Sequence, residues 1–335
     1  MLGCRLIAHR LSYAALDGTL IETASVFYLS IALLITWAFY KKLYFRGKIM
    51  KKLLFQLDTD IHPAVFDTVV AYDGGADHVI GHGSVTPENV TPLVEGTIFT
   101  RAPKEKQFTA IFVGGSNMAA GQELFKAVQK NFFADFRVSV MLDSNGSNTT
   151  AAAGVAKLIT SSTIKGKKAV ILAGTGPVGQ RAAVMMAKEG VSEVVVVSRK
   201  MSRAKAACED MKNSFNVELV PAEATDCDTN GKLIEDAQIV FASGAAGIEL
   251  IKPEHWENNS NIELIADANA TPPLGIGGTD MMDKGNERHG KIVWGAIGFG
   301  TLKLAVHKAC IQKLFESNDQ LLDAEEIFDI AKSMA

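Results

Sequence analysis

Gly174-Thr175-Gly176-Pro177-Val178-Gly179 is the segment whose residue types and spacing most clearly imply chemistry. An apolar, β-rich run from Lys168 to Ala173 precedes it. A helix-compatible stretch, Gln180 to Glu189, follows, and a second apolar strand, Glu193 to Val197, closes the unit. A lone GxGxxG says little, but strand, glycine loop, helix and strand together form a dinucleotide-binding βαβ unit. Gly174 permits the tight turn out of the strand, Gly176 lets the main chain approach a pyrophosphate, and Gly179 lets the helix pack close to the sheet. The free N–H groups and dipole at the helix start favour the bound anion, and Pro177, which lacks an N–H, suits an early helical position.

The end of the second strand selects the nucleotide. NAD-binding units place Asp or Glu there, about 20 residues after the glycines, to bond the ribose 2′-hydroxyl. This chain has Ser198, followed by Arg199 and Lys200. A hydroxyl and two cations suit a 2′-phosphate, with Arg199 able to hold it as a fork, so NADP is expected; an ordinary solvated Arg-Lys pair is the alternative. Two further turns belong to the same expected nucleotide site: Ser243-Gly244-Ala245, at the end of a later strand, and Gly295-Ala296, at the nicotinamide end.

At 335 residues the chain can hold two domains with substantial cores. Its net charge of −3 and lack of a long basic run in the main body point away from nucleic acid as a partner. Cys4, Cys208, Cys227 and Cys310 are scattered without metal-ligand spacing, so no metal site is expected and a reducing, cytoplasmic compartment fits. Residues 1–49 differ in composition from the rest. Ala24 to Tyr40 is apolar and uncharged, at the short limit for a membrane span, and Lys41, Lys42, Arg46 and Lys48 follow it. Either this is an anchor that leaves the body in the cytoplasm, or translation starts at Met50; the abrupt change of composition favours the start at Met50.

Strands alternate with helices along the body. Strands are expected at Leu53–Leu57, Thr97–Thr100, Thr109–Val113, Val138–Leu142, Val217–Val220, Gln238–Ala242 and Ile262–Ala266. Helices are expected at Pro63–Val70, Met118–Phe132, Ala151–Thr160, Ser202–Phe215, Gly231–Ala237, Leu302–Glu316 and Asp323–Met334. Asp73 to His78 and Asp143 to Thr150 read as polar loops. The pattern implies an α/β fold in which two domains flank a cleft, the second a Rossmann-type NADP-binding domain with a parallel sheet. The expected division is an extension (1–49), an N-terminal α/β domain (50–160), the nucleotide domain (161–300) and C-terminal helices that pack back on the first domain (301–335).

From Met50 onward the chain resembles the methylene-tetrahydromethanopterin dehydrogenases of methylotrophic bacteria. The resemblance is carried by Tyr72-Asp73-Gly74-Gly75-Ala76-Asp77-His78, by Met141 to Gly154, by Pro272 to Gly278 and by the runs Lys313 to Ser317 and Asp323 to Ile327. It implies hydride transfer from a pterin-bound methylene group to NADP, with NAD use varying within the family, in one-carbon (formaldehyde) oxidation. It also implies a pterin site on the first domain and a homo-oligomer. The body lacks the Tyr-x-x-x-Lys pair of the bifunctional folate enzymes, which points away from an added cyclohydrolase activity; the lone match, Tyr44 to Lys48, sits in the extension.

Hydride loss from a carbon between two nitrogens leaves a delocalised cation, so no general acid or base has to be found, and none is assigned. Asp143, Asn145, Ser147, Asn148 and Thr149 are the first candidates for pterin contacts. Asp143 or Ser144 is also suited to cap the Ala151 helix, and the two roles are compatible. Asp73 and Asp77 are second candidates, although the adjacent glycines also suit a plain turn. Lys104 and Lys106 read as an exposed charged loop. Two other functions fit the same residues: an NADP-dependent methylene-tetrahydrofolate dehydrogenase and a non-catalytic NADP sensor.

Overall fold

The computed structural model describes residues 50–335; the apolar run and the basic cluster before Met50 lie outside the described residues. In chain order the strands and helices are β1 (Leu53–Asp58), α1 (Val65–Asp73), β2 (His78–His82), α2 (Thr91–Phe99), β3 (Thr109–Gly114), α3 (Met118–Lys130), β4 (Ser139–Leu142) and α4 (Ser147–Ser161). They continue as β5 (Lys168–Leu172), α5 (Pro177–Lys188), β6 (Glu193–Ser198), α6 (Met201–Phe215), β7 (Val220–Glu223), α7 (Cys227–Leu233), β8 (Ile239–Ala242) and β9 (Leu264–Asp267). The chain ends with β10 (Lys284–Arg288), β11 (Lys291–Trp294), α8 (Ala296–Lys313), β12 (Leu321–Leu322) and α9 (Ala324–Met334).

Two sheets result. The first has the order β12-β4-β3-β1-β2 and is parallel throughout; the second has the order β10-β11-β9-β8-β5-β6-β7, with only the edge strand β10 antiparallel. Strands β3, β4, β8 and β9 are buried along their whole length, as parallel strands covered on both faces must be. Strand order reverses between β1 and β3 in the first sheet and between β5 and β8 in the second. Ligands of open α/β sheets bind beyond the strand ends at such reversals. The register sets Asp58 beside Gly114 at the first and Leu172 beside Ala242 at the second.

Helix α4 joins the sheets. Ala151, Ala152, Ala153, Gly154 and Ala156 are all buried in it, and one continuous core runs from Leu54 and Phe112 of the first sheet through these alanines to Ile171 and Phe241 of the second. Small side chains let the helix approach elements on several sides. A Cβ at Gly154 would stand 2.9 Å from the Phe241 ring. Helices α8 and α9 pack on α4, and β12 adds to the edge of the first sheet beside β4.

Several elements differ from their expected form. Thr97–Thr100 is not a strand: Thr97 to Phe99 end α2, which has Pro92 in its first turn and buries Val94, Thr97 and Ile98 on one side. The polar stretch Asp143 to Thr150 is only half a loop, because α4 starts at Ser147. Strand β7 begins at Val220, where it can pair with Val195, three residues later than expected. Helix α7 runs earlier than Gly231–Ala237 because the Asp226 carboxylate accepts the Thr229 N–H at 2.8 Å and fixes its start at Cys227. Helix α8 starts at Ala296, not Leu302, and the strand β2 and the hairpin β10–β11 carry too little alternation to be seen in the sequence. Lys106 is buried, with its ammonium 3.9 Å from the Phe136 ring centroid, whereas Lys104 is exposed.

Among the described residues no helix is long and apolar enough to cross a membrane, and no group of three or more His, Cys, Asp or Glu is placed to hold a metal. The packing of α4 makes a direct prediction: Gly154→Val should lower the unfolding free energy by about 1–3 kcal/mol through overpacking against Phe241, read from urea denaturation.

Candidate functional site

The second switch point holds a cavity of about 520 Å³. Thr175 and Gly176 of the glycine loop line it, as do Ser198 and Arg199 after β6 and Ser243, Gly244 and Ala245 after β8. The three glycines behave differently. A Cβ at Gly174 would meet the Ile171 carbonyl oxygen at 2.8 Å, and one at Gly179 would meet Ser243 Oγ at 2.5 Å and Gly174 Cα at 2.6 Å. At Gly176 the nearest atoms are 3.9 Å away, so its open side is the one left for a ligand. Pro177, Val178 and Gly179 already belong to α5, whose N-terminus therefore faces the loop. Gln180 Nε2 donates to the Thr175 carbonyl at 2.7 Å and staples the loop to the helix.

Lys200 does not line this cavity. It is the residue that caps α6, its carbonyl accepting the N–H groups of Arg203 at 3.0 Å and Ala204 at 3.2 Å. Arg203, in the first turn of α6, takes its place beside Arg199. Sequence reasoning missed Arg203, although the Arg199-x-x-x-Arg203 spacing at a helix start was the available signal. Gly295 and Ala296 line neither this cavity nor the next. Gly295 is packed against the 280–283 segment, its N–H donating to the Asp283 carbonyl at 2.8 Å.

The first switch point holds a second cavity, of about 320 Å³, lined by Asp60, Phe66, Asp67, Ser116, Asn145 and Lys303 with the intervening backbone. Asp58, fully buried at the end of β1, shapes the loop above it by accepting the N–H groups of Asp60 at 2.9 Å and Ala64 at 3.1 Å. Asp60 in turn accepts the main-chain N–H and the hydroxyl of Ser116, both at 2.9 Å. Gly115 adopts φ +109°, and a Cβ there would stand 1.9 Å from Thr59 Oγ1, so only glycine fits the crossing.

Of the residues expected to contact the pterin, Asn145 alone lines the cavity. Asp143 is fully buried beneath it: Oδ1 accepts the N–H groups of Asn148 at 2.8 Å and Thr149 at 3.1 Å, and Oδ2 accepts the Thr149 hydroxyl at 2.6 Å. Ser147 Oγ donates to the Ser144 carbonyl at 2.7 Å, and Asn148 Nδ2 donates to the Leu142 carbonyl at 2.7 Å. These four side chains are the frame that holds Asn145 and Gly146 in the left-handed region, at φ 56° and 59°. Asp73 and Asp77 lie elsewhere. Asp73 pairs with Lys308 at 2.8 Å, and Asp77 accepts the Lys52 N–H at 2.8 Å.

Lys303 was not foreseen, although a lone lysine within the apolar stretch of α8 was the visible signal. Its ammonium stands 4.0 Å from the Phe66 ring centroid, and a Cβ at Gly146 would come within 3.2 Å of Nζ. Burial pushes its pKa down, against the pull of the Asp143 and Asp67 carboxylates. Asp67 is pushed up to about 7, first by burial and then by the charge of Asp143, with Lys303 opposing. One turn after Lys303, fully buried His307 stacks on Phe112 with centroids 5.5 Å apart, and burial lowers its pKa to about 4. The imidazole is therefore neutral near pH 7. The two shifts act oppositely on stability: the raised Asp67 costs stability as pH climbs from about 4 to 7, and the depressed His307 costs it as pH falls from 6.5 to about 4.

Two largely parallel sheets, each with a cavity at its reversal and one carrying a phosphate-type glycine loop, define a dinucleotide-binding protein of the α/β class. Residues 65–145 match the family model for methylene-tetrahydromethanopterin dehydrogenase, N-terminal, and residues 155–268 that for shikimate / quinate 5-dehydrogenase. The chain is 57% identical over 287 residues to the bifunctional protein MdtA of Methylorubrum extorquens AM1, with 85% of this chain and 99% of that protein covered. It is 30% identical over 294 residues to the NAD(P)-dependent methylenetetrahydromethanopterin dehydrogenase of the same organism, again with 85% and 99% covered. The chain belongs to the methylene-tetrahydromethanopterin dehydrogenase family. A solved putative malic enzyme (malate oxidoreductase) matches with a TM-score of 0.57 at 13% identity, over 97% of this chain and 87% of that one, a likeness of fold alone.

The glycine geometry separates two roles that a fingerprint merges. Gly176→Ala should fold normally and weaken NADP binding at least about 10-fold, because the added methyl occupies the ligand side. Gly179→Ala should instead lower thermal stability, since its methyl has no room in the protein itself. Fluorescence titration with NADPH and a thermal melt on each variant check both.

Proposed function

We propose that this protein moves a hydride from methylene-tetrahydromethanopterin, bound in the Asp60–Asn145–Lys303 cavity, to NADP held at the glycine loop, giving the methenyl product. The observation that carries the reading is the pairing of the two cavities at the two strand reversals, one suited to a phosphate-bearing nucleotide and one rich in carboxylates. Family membership supports the carrier, and Arg199 with Arg203 at the α6 N-terminus supports the 2′-phosphate. Ser198 also lines the nucleotide cavity, and Ser243, Gly244 and Ala245 line it with Ser243 beside the glycine loop.

The chemistry asks for positioning and charge. As the hydride leaves, the carbon between two nitrogens becomes a delocalised cation, and no proton has to move in that step. Asp60 and Asp67 line the cavity and Asp58 and Asp143 lie under it, against the single amine of Lys303. A surplus of carboxylates in a partly desolvated site lowers the energy of a developing cation. Phe66 offers an exposed aromatic face beside Lys303 against which a planar pterin can rest. Asn145 supplies an amide donor and acceptor for the ring edge, while Asp143, Ser147, Asn148 and Thr149 fix the turn that presents it.

The reading includes a homo-oligomer in the cytoplasm. Val65, Val69 and Tyr72 form an exposed apolar stripe on α1, and the free thiols Cys208, Cys227 and Cys310 fit a reducing compartment.

A steady-state assay on the full chain, crossing methylene-tetrahydromethanopterin and methylene-tetrahydrofolate with NADP and NAD, tests the proposal. Methenyl formation should be fastest with the methanopterin carrier and NADP; no turnover of that carrier with either nucleotide overturns it. Arg203→Ala should raise the KM for NADP roughly 10-fold or more and leave that for NAD nearly unchanged. With Asp67 ionising near pH 7, kcat/KM for the pterin should rise across pH 6 to 8 as the carboxylate gains charge. Asp67→Asn should flatten that limb and lower the plateau roughly 10-fold or more.

A further inference from the structure

Arg181 stands at the start of the second turn of α5, two residues after Gly179, and its side chain is wholly buried. A desolvated guanidinium ordinarily meets a carboxylate with two parallel hydrogen bonds. Among the described residues, none of its three nitrogens has a hydrogen-bond partner. The carboxylate within ion-pair distance is that of Asp323, whose Oδ1 lies 3.7 Å from Nη2, with the charge of Asp143 acting from farther off. Its other contact is the ring of Phe215, at the far end of α6, whose centroid is 4.9 Å from Cζ.

Asp323 Oδ1 is shared. It accepts the Ala324 N–H at 2.8 Å, which starts α9, and Asn148 Nδ2 at 3.1 Å. Asn148 passes the connection on through its main-chain N–H, donated to Asp143 Oδ1 at 2.8 Å, and Asp143 frames the turn that carries Asn145 into the pterin cavity. The same Asn148 side chain keeps a buried Oδ1 without a donor. Unpaired buried donors on Arg181 and an unpaired buried acceptor on Asn148 thus flank one carboxylate oxygen. Packing alone does not account for such a cluster, since replacing a buried ion pair with apolar side chains is often neutral or stabilising.

We propose that Arg181 is a positioning residue that couples the two binding sites. Its charge, through Asp323 and Asn148, ties the glycine-loop helix to the Asp143–Asn145 turn, so that NADP on the loop favours the turn geometry that binds the pterin. Coupling of this kind is reciprocal, and the pterin tightens NADP by the same factor. The proposal rests on the pterin reading of the Asn145 cavity.

Tetrahydromethanopterin without its methylene group cannot give up the hydride, so its binding to the full-length protein can be measured with and without saturating NADP. NADP should tighten it by about fivefold or more, the lower range of such couplings. In Arg181→Met the factor should fall to within about twofold of unity, with the NADP affinity measured alone nearly unchanged and the melting temperature unchanged or higher. Arg181→Lys, which keeps the charge, should restore part of it. Asp323→Asn keeps an acceptor for Asn148 and Ala324 but loses the charge, and should reduce the factor likewise; it also serves if the Met variant does not fold. A parent protein without coupling, or full coupling in either charge-removing variant, overturns the proposal. If the parent binds NADP but no tetrahydromethanopterin, the pterin assignment itself fails and the relay falls with it.

Discussion

Close approach of helix α4 to its neighbours is the constraint on which both sites depend. The helix can lie between two sheets because its buried side is alanine and glycine, with Gly154 against the Phe241 ring. Larger residues would push the sheets apart, and packed interiors absorb even one added methylene poorly. The N-terminal end of the same helix borders the Asn145 cavity, and α5, with the glycine loop, packs along its flank. A single helix rich in small residues thereby touches both halves of the described structure.

The two cavities are electrostatic opposites. At the nucleotide end, two guanidinium groups and a helix N-terminus gather where a phosphate would sit. In the Asn145 cavity, carboxylates outnumber the one amine, and desolvation is the largest cause of the pKa shifts of Asp67 and His307. The protein keeps His307 neutral and Lys303 less basic than usual without a metal or an ion-pair partner among the described residues. This arrangement suits a reaction that creates positive charge and moves no proton.

The nucleotide half was legible in the sequence because its signals are local. The glycine loop, the strand before it and Ser198-Arg199 all lie in one short βαβ unit, and backbone geometry dictates their residue types. The proposed pterin half was not, because its parts come from five places in the chain: Asp60 after β1, Phe66 and Asp67 in α1, Ser116 after β3, Asn145 before α4 and Lys303 in the middle of α8. Polar residues clustered in sequence drew attention to Asp143 through Thr149, and most of these prove to be buried, Asp143 accepting N–H groups at the start of α4 and Ser147, Asn148 and Thr149 bonding to the turn before it. That is the known ambiguity of Asp, Ser, Asn and Thr near a helix start, where the same hydrogen-bonding power serves either a cap or a ligand. The edge strand β10 and the late start of β7 were hidden for a related reason, since strand pairing, and not local propensity, decides where they begin.

The raised pKa of Asp67 has a bearing on turnover. The charge that develops as the hydride departs does not vanish afterwards: the methenyl product leaves the site as a cation. A permanently ionised carboxylate would hold that product more firmly than the neutral substrate and slow its escape. With a pKa of about 7, Asp67 exchanges its proton readily near neutrality, so the site can attract the cation while it forms and loosen its hold once a proton returns. On the proposed pterin site, burial of one aspartate would set a balance between speeding the chemical step and freeing the enzyme for the next molecule.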